Sequence, residues 1–158
     1  MQSESRHKVW QVRKDKDAEW VAIKEYNIAQ ASDLRTCLKE ATVIYKQRHH
    51  AIVEIMALFQ GTDSNTFYMQ MPWYTHGSLD TWVLGDQRPD WPQVRSVLLD
   101  ALLGLAHLHY NGVMHGDVKP ANILVNCRER GRLSDLTFQS TQRSACWQPV
   151  SSERQPQP

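Results

Sequence analysis

The apolar positions in the first third of the chain alternate as a strand requires. Val9, Trp10 and Val12 precede the charged run 14–17, and the pattern resumes over 20–23. Successive side chains on a strand point to opposite faces, so the stretch predicts an antiparallel hairpin. The period changes after Asp33, which is placed to cap a helix. Leu34, Leu38, Ala41 and Tyr45 follow helical spacing, while Cys37, Glu40 and Ile44 form an adjacent stripe, so Glu40 leans toward buried surface. Segments 52–59 and 66–71 are apolar or β-prone and flank Gly61-Thr62-Asp63-Ser64-Asn65, a run of turn formers. They predict a second hairpin and a sheet of four strands.

Residues 72–77 carry no period and read as a linker, after which Ser78 is placed to cap a short helix with Leu79, Trp82 and Val83. Beyond a loop at 85–89, Pro92 stands where a helix starts. Val94, Val97, Leu98, Ala101, Leu102, Leu105 and Leu108 then trace one apolar face until Asn111-Gly112 ends the helix. From 140 to 158 Gln, Ser, Pro and Arg dominate, and a disordered tail is expected.

Composition narrows the function classes. The 158 residues suffice for one domain, and a net charge of +1 with interspersed signs gives no basic face for nucleic acid or an anionic membrane. Cys37, Cys127 and Cys146 lie far apart without a CxxC pair, which argues against a disulfide framework or a zinc site and points to a reducing, intracellular compartment, cytoplasmic by default. The start, with Glu4 and Arg6 among polar residues, is no signal peptide. The longest apolar stretch, 94–108, is broken by Arg95, Asp100 and His107, so no membrane span is expected. His49-His50 and the pair His107 and His109 are poor candidates for metal ligation. The six tryptophans are scattered rather than interleaved with cations, so core packing is the better reading for most of them.

Two constellations carry chemistry. In Val21-Ala22-Ile23-Lys24 the alternation puts Ala22 and Lys24 on one face, a small residue beside a cation, which suits a flat base followed by phosphates. Glu40 is the natural partner for Lys24, because an unpaired carboxylate on a buried stripe is costly. The second is His115-Gly116-Asp117-Val118-Lys119-Pro120-Ala121-Asn122-Ile123-Leu124-Val125, followed by Asp135. Phosphoryl transfer needs a carboxylate to orient a hydroxyl, a cation to offset charge on the moving phosphate, and oxygen ligands for magnesium. Asp117, Lys119, Asn122 and Asp135 supply that set. A turn before a buried strand at 123–125 would account for Pro120 but not for the spacings.

In this order the motifs resemble the protein kinase family over about residues 9–137. Lys119, two residues after the aspartate, resembles the serine/threonine branch. The resemblance implies an α+β fold: a small antiparallel β lobe with one helix (1–71), a hinge (72–77), an incomplete, mainly helical large lobe with the catalytic loop (78–139), and the tail (140–158). It implies ATP and Mg2+ as cofactors and a protein substrate. Carried over by position, Asp117 is the catalytic base and Lys119 contacts the γ-phosphate. Lys24 anchors the α and β phosphates with Glu40 as its partner, and Asn122 and Asp135 hold magnesium. Val9, Ala22 and Leu124 enclose the adenine, Met71 is the gatekeeper, and Pro72, Trp73 and Tyr74 form the hinge contacts.

The pattern is also broken. The three loop glycines of the family fall at Gln2, Glu4 and His7, where a carboxylate would repel a triphosphate. Gly116 replaces the usual arginine, and Thr137 stands where a glycine is expected, though Leu136 keeps the apolar position before it. No activation segment or Ala-Pro-Glu motif follows Phe138, which implies a truncated domain whose long helix exposes an apolar face to a partner. The alternative implied by these departures is an inactive kinase-like binding module or truncated gene product.

Overall fold

The computed structural model describes residues 8–13, 15, 19–63, 65–86, 88–136 and 139–140. Strands β1 (Lys8–Val12), β2 (Val21–Asn27), β3 (Ala57–Gln60) and β4 (Thr66–Pro72) form one antiparallel sheet in the order β1-β2-β4-β3, with helix α1 (Ala31–Lys46) between β2 and β3 in sequence. Register pairs Val9 with Lys24 and Ala22 with Met71. The alternation anticipated for β2 holds: Ala22, Lys24 and Tyr26 are buried and their neighbours are not.

Helices α2 (Leu79–Leu84) and α3 (Trp91–Tyr110) follow the linker. The chain then makes β5 (Val113–Met114), a 3-10 turn Pro120–Asn122, and the ribbon of β6 (Ile123–Val125) and β7 (Gly131–Leu133). Finally β8 (Gln139–Ser140) pairs back on β5. Ser140 is thus strand rather than tail. The rest of the predicted tail, and the loop positions Gln2, Glu4 and His7, lie outside the described residues. Buried apolar residues from the sheet, α1, α3 and the β6-β7 ribbon form one core. No helix among the described residues is long and apolar enough to cross a membrane.

Several expectations are corrected. Gln30, not Asp33, is the N-cap of α1. Asp33 lies one turn in, where its carboxylate accepts from the Ala29 and Gln30 N–H groups at 3.0 Å, closing a capping box from inside the helix. The buried stripe of α1 is Cys37, Ala41, Val43 and Ile44, and Leu38 and Tyr45 are exposed. Of segment 52–59 only the end is strand. Residues 51–53 turn instead to β7, with Val53 N donating to Leu133 O (2.9 Å) and Leu133 N to Ala51 O (2.8 Å), so a different partner claims their backbone groups. Among the described tryptophans only Trp82 is buried; Trp10, Trp20 and Trp91 are exposed.

The long helix is rotated from its predicted face. Val97, Ala101 and Leu108 are buried as expected, but Asp100 and Gly104 complete the stripe, while Leu98, Leu99, Leu102 and Leu103 are exposed. Gly104 explains the rotation, because a Cβ there would meet the Ala51 carbonyl oxygen at 2.8 Å and Leu133 Cδ1 at 2.9 Å. The helix meets β7 through Val97, Asp100 and Gly104 rather than through its leucines. Gly104→Ala is therefore expected to destabilise the fold by about 1–3 kcal/mol, since a backbone carbonyl cannot move aside as a side chain does. Urea unfolding checks it, with the midpoint lowered and the slope unchanged.

Candidate active site

A strand of the small sheet and helix α1 begin the site. Lys24, on the inward face of β2, is 8% exposed. Its Nζ donates to Glu40 Oε1 on α1 at 3.0 Å and is ion-paired with Asp135, just past β7. Glu40 is held from its other side, where the Tyr26 hydroxyl donates to Oε2 at 3.0 Å. Burial works against the ammonium charge, but Glu40 and Asp135 more than restore it, and the Lys24 pKa is raised. Burial and the nearby Glu40 push the Cys37 thiol up to about 11, so it is inert packing at neutral pH.

The loop after β5 supplies the second half. Asp117 Oδ2 accepts from Lys119 Nζ at 2.6 Å and from Asn122 Nδ2 at 3.0 Å, and Asn122 Nδ2 also reaches the Asp117 carbonyl at 2.8 Å. The Lys119 hydrogen bond, helped by Asn122, holds the Asp117 carboxyl below its ordinary range. Buried His115 underlies the loop, its Nδ1 accepting from Asp117 N at 3.4 Å, and burial keeps the ring toward neutrality. Gly116 sits at φ +83°, a left-handed backbone that glycine adopts without a Cβ penalty.

Asn122 joins the halves. Its carbonyl accepts from Ser134 N (3.0 Å) and the Ser134 hydroxyl (3.3 Å), which fixes the residue before Asp135 beside the catalytic-type loop. Asp135 itself has φ +52°, a left-handed conformation uncommon for a residue with a side chain and typical of strained functional positions. Lys24, Glu40, Asp117, Lys119, Asn122 and Asp135 therefore form one connected polar network across both halves of the molecule. With Asn122 Nδ2 committed to Asp117, its oxygen and the Asp135 carboxylate offer two hard ligands. That set fits magnesium, which is commonly held by one or two protein oxygens together with substrate phosphates.

The expected base-binding positions lie nearby. Ala22 and Met71 are buried side by side across β2 and β4, Leu124 is half-buried on β6, and Val9, paired with Lys24, is 55% exposed. Pro72 closes β4 and is followed by half-buried Trp73, whose N–H donates to Trp20 O at 3.3 Å, and by buried Tyr74. The histidines have structural surroundings. His49 stacks on His107 at 4.6 Å and accepts from Ala51 N through Nδ1.

Sequence reasoning missed the contact that holds β7 in place. Asp100 on α3, 2% exposed, accepts from Arg130 Nε (2.7 Å), Arg130 Nη2 (2.5 Å) and Gly131 N (3.0 Å) at the start of the strand that ends beside Asp135. The signal was present as a lone carboxylate in a leucine-rich helix, at helical spacing from Val97 and Leu108.

The sequence profile described as "Protein kinase domain" matches residues 5–151. Cyclin-dependent kinase G-1 of Oryza sativa subsp. indica is 27% identical over 130 residues, covering 81% of this chain and 19% of that protein. Serine/threonine-protein kinase shk1/pak1 of Schizosaccharomyces pombe is 32% identical over 118 residues, 75% of this chain and 18% of its own. Guanylate cyclase D of Mus musculus is 30% identical over 142 residues, 89% of this chain and 12% of its own. The chain thus spans less than a fifth of each of these relatives. Profile, relatives and the four-stranded sheet joined to α2, α3 and the loop network agree, and the chain belongs to the protein kinase domain family.

Proposed function

We propose that this chain carries an ATP- and magnesium-dependent site that transfers a phosphoryl group to serine or threonine hydroxyls of a protein. The observation that carries the reading is the network joining Lys24 and Glu40 through Asp135, Ser134 and Asn122 to Asp117 and Lys119. In this reading Lys24 binds the α and β phosphates and Glu40 keeps it directed. Asp117 accepts the proton of the incoming hydroxyl, and Lys119 offsets charge on the γ-phosphate. Asn122 and Asp135 would hold magnesium, which when bound would offset the negative charge of the phosphates. Ala22, Leu124 and Val9 flank the adenine, with Met71 behind it and the backbone of 72–74 along its edge. The serine/threonine assignment rests on Lys119 and on the kinase relatives.

A second reading, a kinase-like module that binds without catalysing, is favoured by Gln2, Glu4 and His7 in place of the loop glycines and by a relative named as a guanylate cyclase. Calorimetric titration of the folded chain with Mg·ATP tests the nucleotide site that the first reading requires. Saturable binding is expected, with Lys24→Met and Asp135→Ala each weakening it by at least about tenfold. A folded chain that takes up no nucleotide would favour the non-catalytic reading.

A further inference from the structure

A cavity lies beside residues 72–74. It holds about 460 Å³ and is walled by Trp73 and Tyr74 of the hinge, Tyr45 at the end of α1, Arg48 just beyond it, Arg132 of β7 and Glu54. That volume suits a small organic molecule. Its walls are aromatic on two sides, and two guanidinium groups face one carboxylate, so the lining favours an anion. Arg48 is exposed and stacks over the Tyr45 ring at 5.1 Å. Arg132 is half-buried, donates from Nη1 to the Gly131 carbonyl at 3.3 Å and also hydrogen-bonds the Tyr74 side chain, which leaves other donors of its five. Neither arginine is ion-paired among the described residues. A guanidinium fork matches a carboxylate through two parallel hydrogen bonds, and a planar ring suits the aromatic walls.

We propose that this cavity is a second binding site, for a planar aromatic carboxylate. The ligand packs its ring against Trp73 and Tyr74 and sets its carboxylate between Arg48 and Arg132. Because Trp73 and Tyr74 also belong to the hinge, an occupant touches the hinge in a cavity whose lining includes neither Lys24 nor Asp135.

Calorimetry with 2-naphthoate on the folded chain tests the proposal, with neutral 2-naphthamide as the matched probe. Saturable binding of the acid is expected, with the amide at least about tenfold weaker. Arg48→Ala, at an exposed position that leaves the core intact, and Arg132→Gln, checked for folding by circular dichroism, should each lose about tenfold or more. Lys24→Met should bind the acid as the wild type does, so a failed nucleotide site leaves this result unaffected. The site is overturned if the acid does not saturate below about 5 mM, if the amide binds equally well, if both arginine variants bind unchanged, or if Lys24→Met abolishes binding.

Discussion

Asp117→Asn is expected to lower phosphoryl transfer by about 10²–10⁴-fold while leaving Mg·ATP affinity within about threefold of wild type, the usual range for loss of a positioned general base. Asparagine keeps the side chain's shape and still accepts from Lys119 and Asn122, so the loop should persist. What disappears is the carboxylate proposed to take the hydroxyl proton. Initial rates of phosphate incorporation into a serine-containing protein, measured beside calorimetric binding of the nucleotide, separate the two effects. Transfer by the variant within about threefold of the wild type would assign the base to another group.

The pH dependence gives the same residue a second signature. Lys119 is the principal cause of the depressed Asp117 pKa, with Asn122 adding to it. The carboxylate form therefore persists below the ordinary range, and with Asp117 as the proposed base the acid limb of the rate profile is expected there. Removing Lys119 removes the main cause, so in Lys119→Ala the limb moves up toward about 4, the value of a free aspartate.

What the sequence revealed depends on the range over which its signals act. Strand alternation at 21–24 and the turn formers at 61–65 are local, and both hairpins formed where they indicate. The pairing of Lys24 with Glu40 was legible because a buried strand cation and a buried helix carboxylate each require an opposite charge. The direct pairing of Lys24 with Asp135 was not, because it depends on how the β6-β7 ribbon closes on the sheet, which no local period records.

The face of α3 was misread for a related reason. A periodicity argument weights leucine and ignores glycine, whereas close packing rewards the smallest residue where two backbones meet. Gly104 against Ala51, and Asp100 against Gly131, set the rotation, and Leu98 and Leu102 were carried outward. Segment 52–59 failed similarly: its β propensity was real, but residues 51–53 met β7 before reaching the sheet.

Asp100 is where that tertiary logic has its largest expected cost. Replacement by alanine removes three hydrogen bonds at once and deprives the Gly131 N–H of its Asp100 acceptor. Charge-assisted bonds contribute about 1.5–3 kcal/mol each when buried. The Arg130 side chain is 48% exposed and rehydrates readily, so its share is discounted and the expected loss is about 2–4 kcal/mol. Asp100→Asn, which keeps an acceptor for Gly131, should lose less. Acid unfolding supplies the sign. Burial pushes Asp100 toward protonation, but the Arg130 and Gly131 hydrogen bonds hold its folded pKa below the usual value. The stabilisation is therefore full above the unfolded value of about 3.9 and is lost as pH falls through the depressed folded one. Urea titrations at neutral pH should place the alanine variant's midpoint about 1–2 M below wild type, with the gap narrowing in acid. Equal midpoints at neutral pH would mean that β7, and with it Asp135, is held by its pairing with β6, its bonds to 51–53 and the packing at Gly104 without help from Asp100.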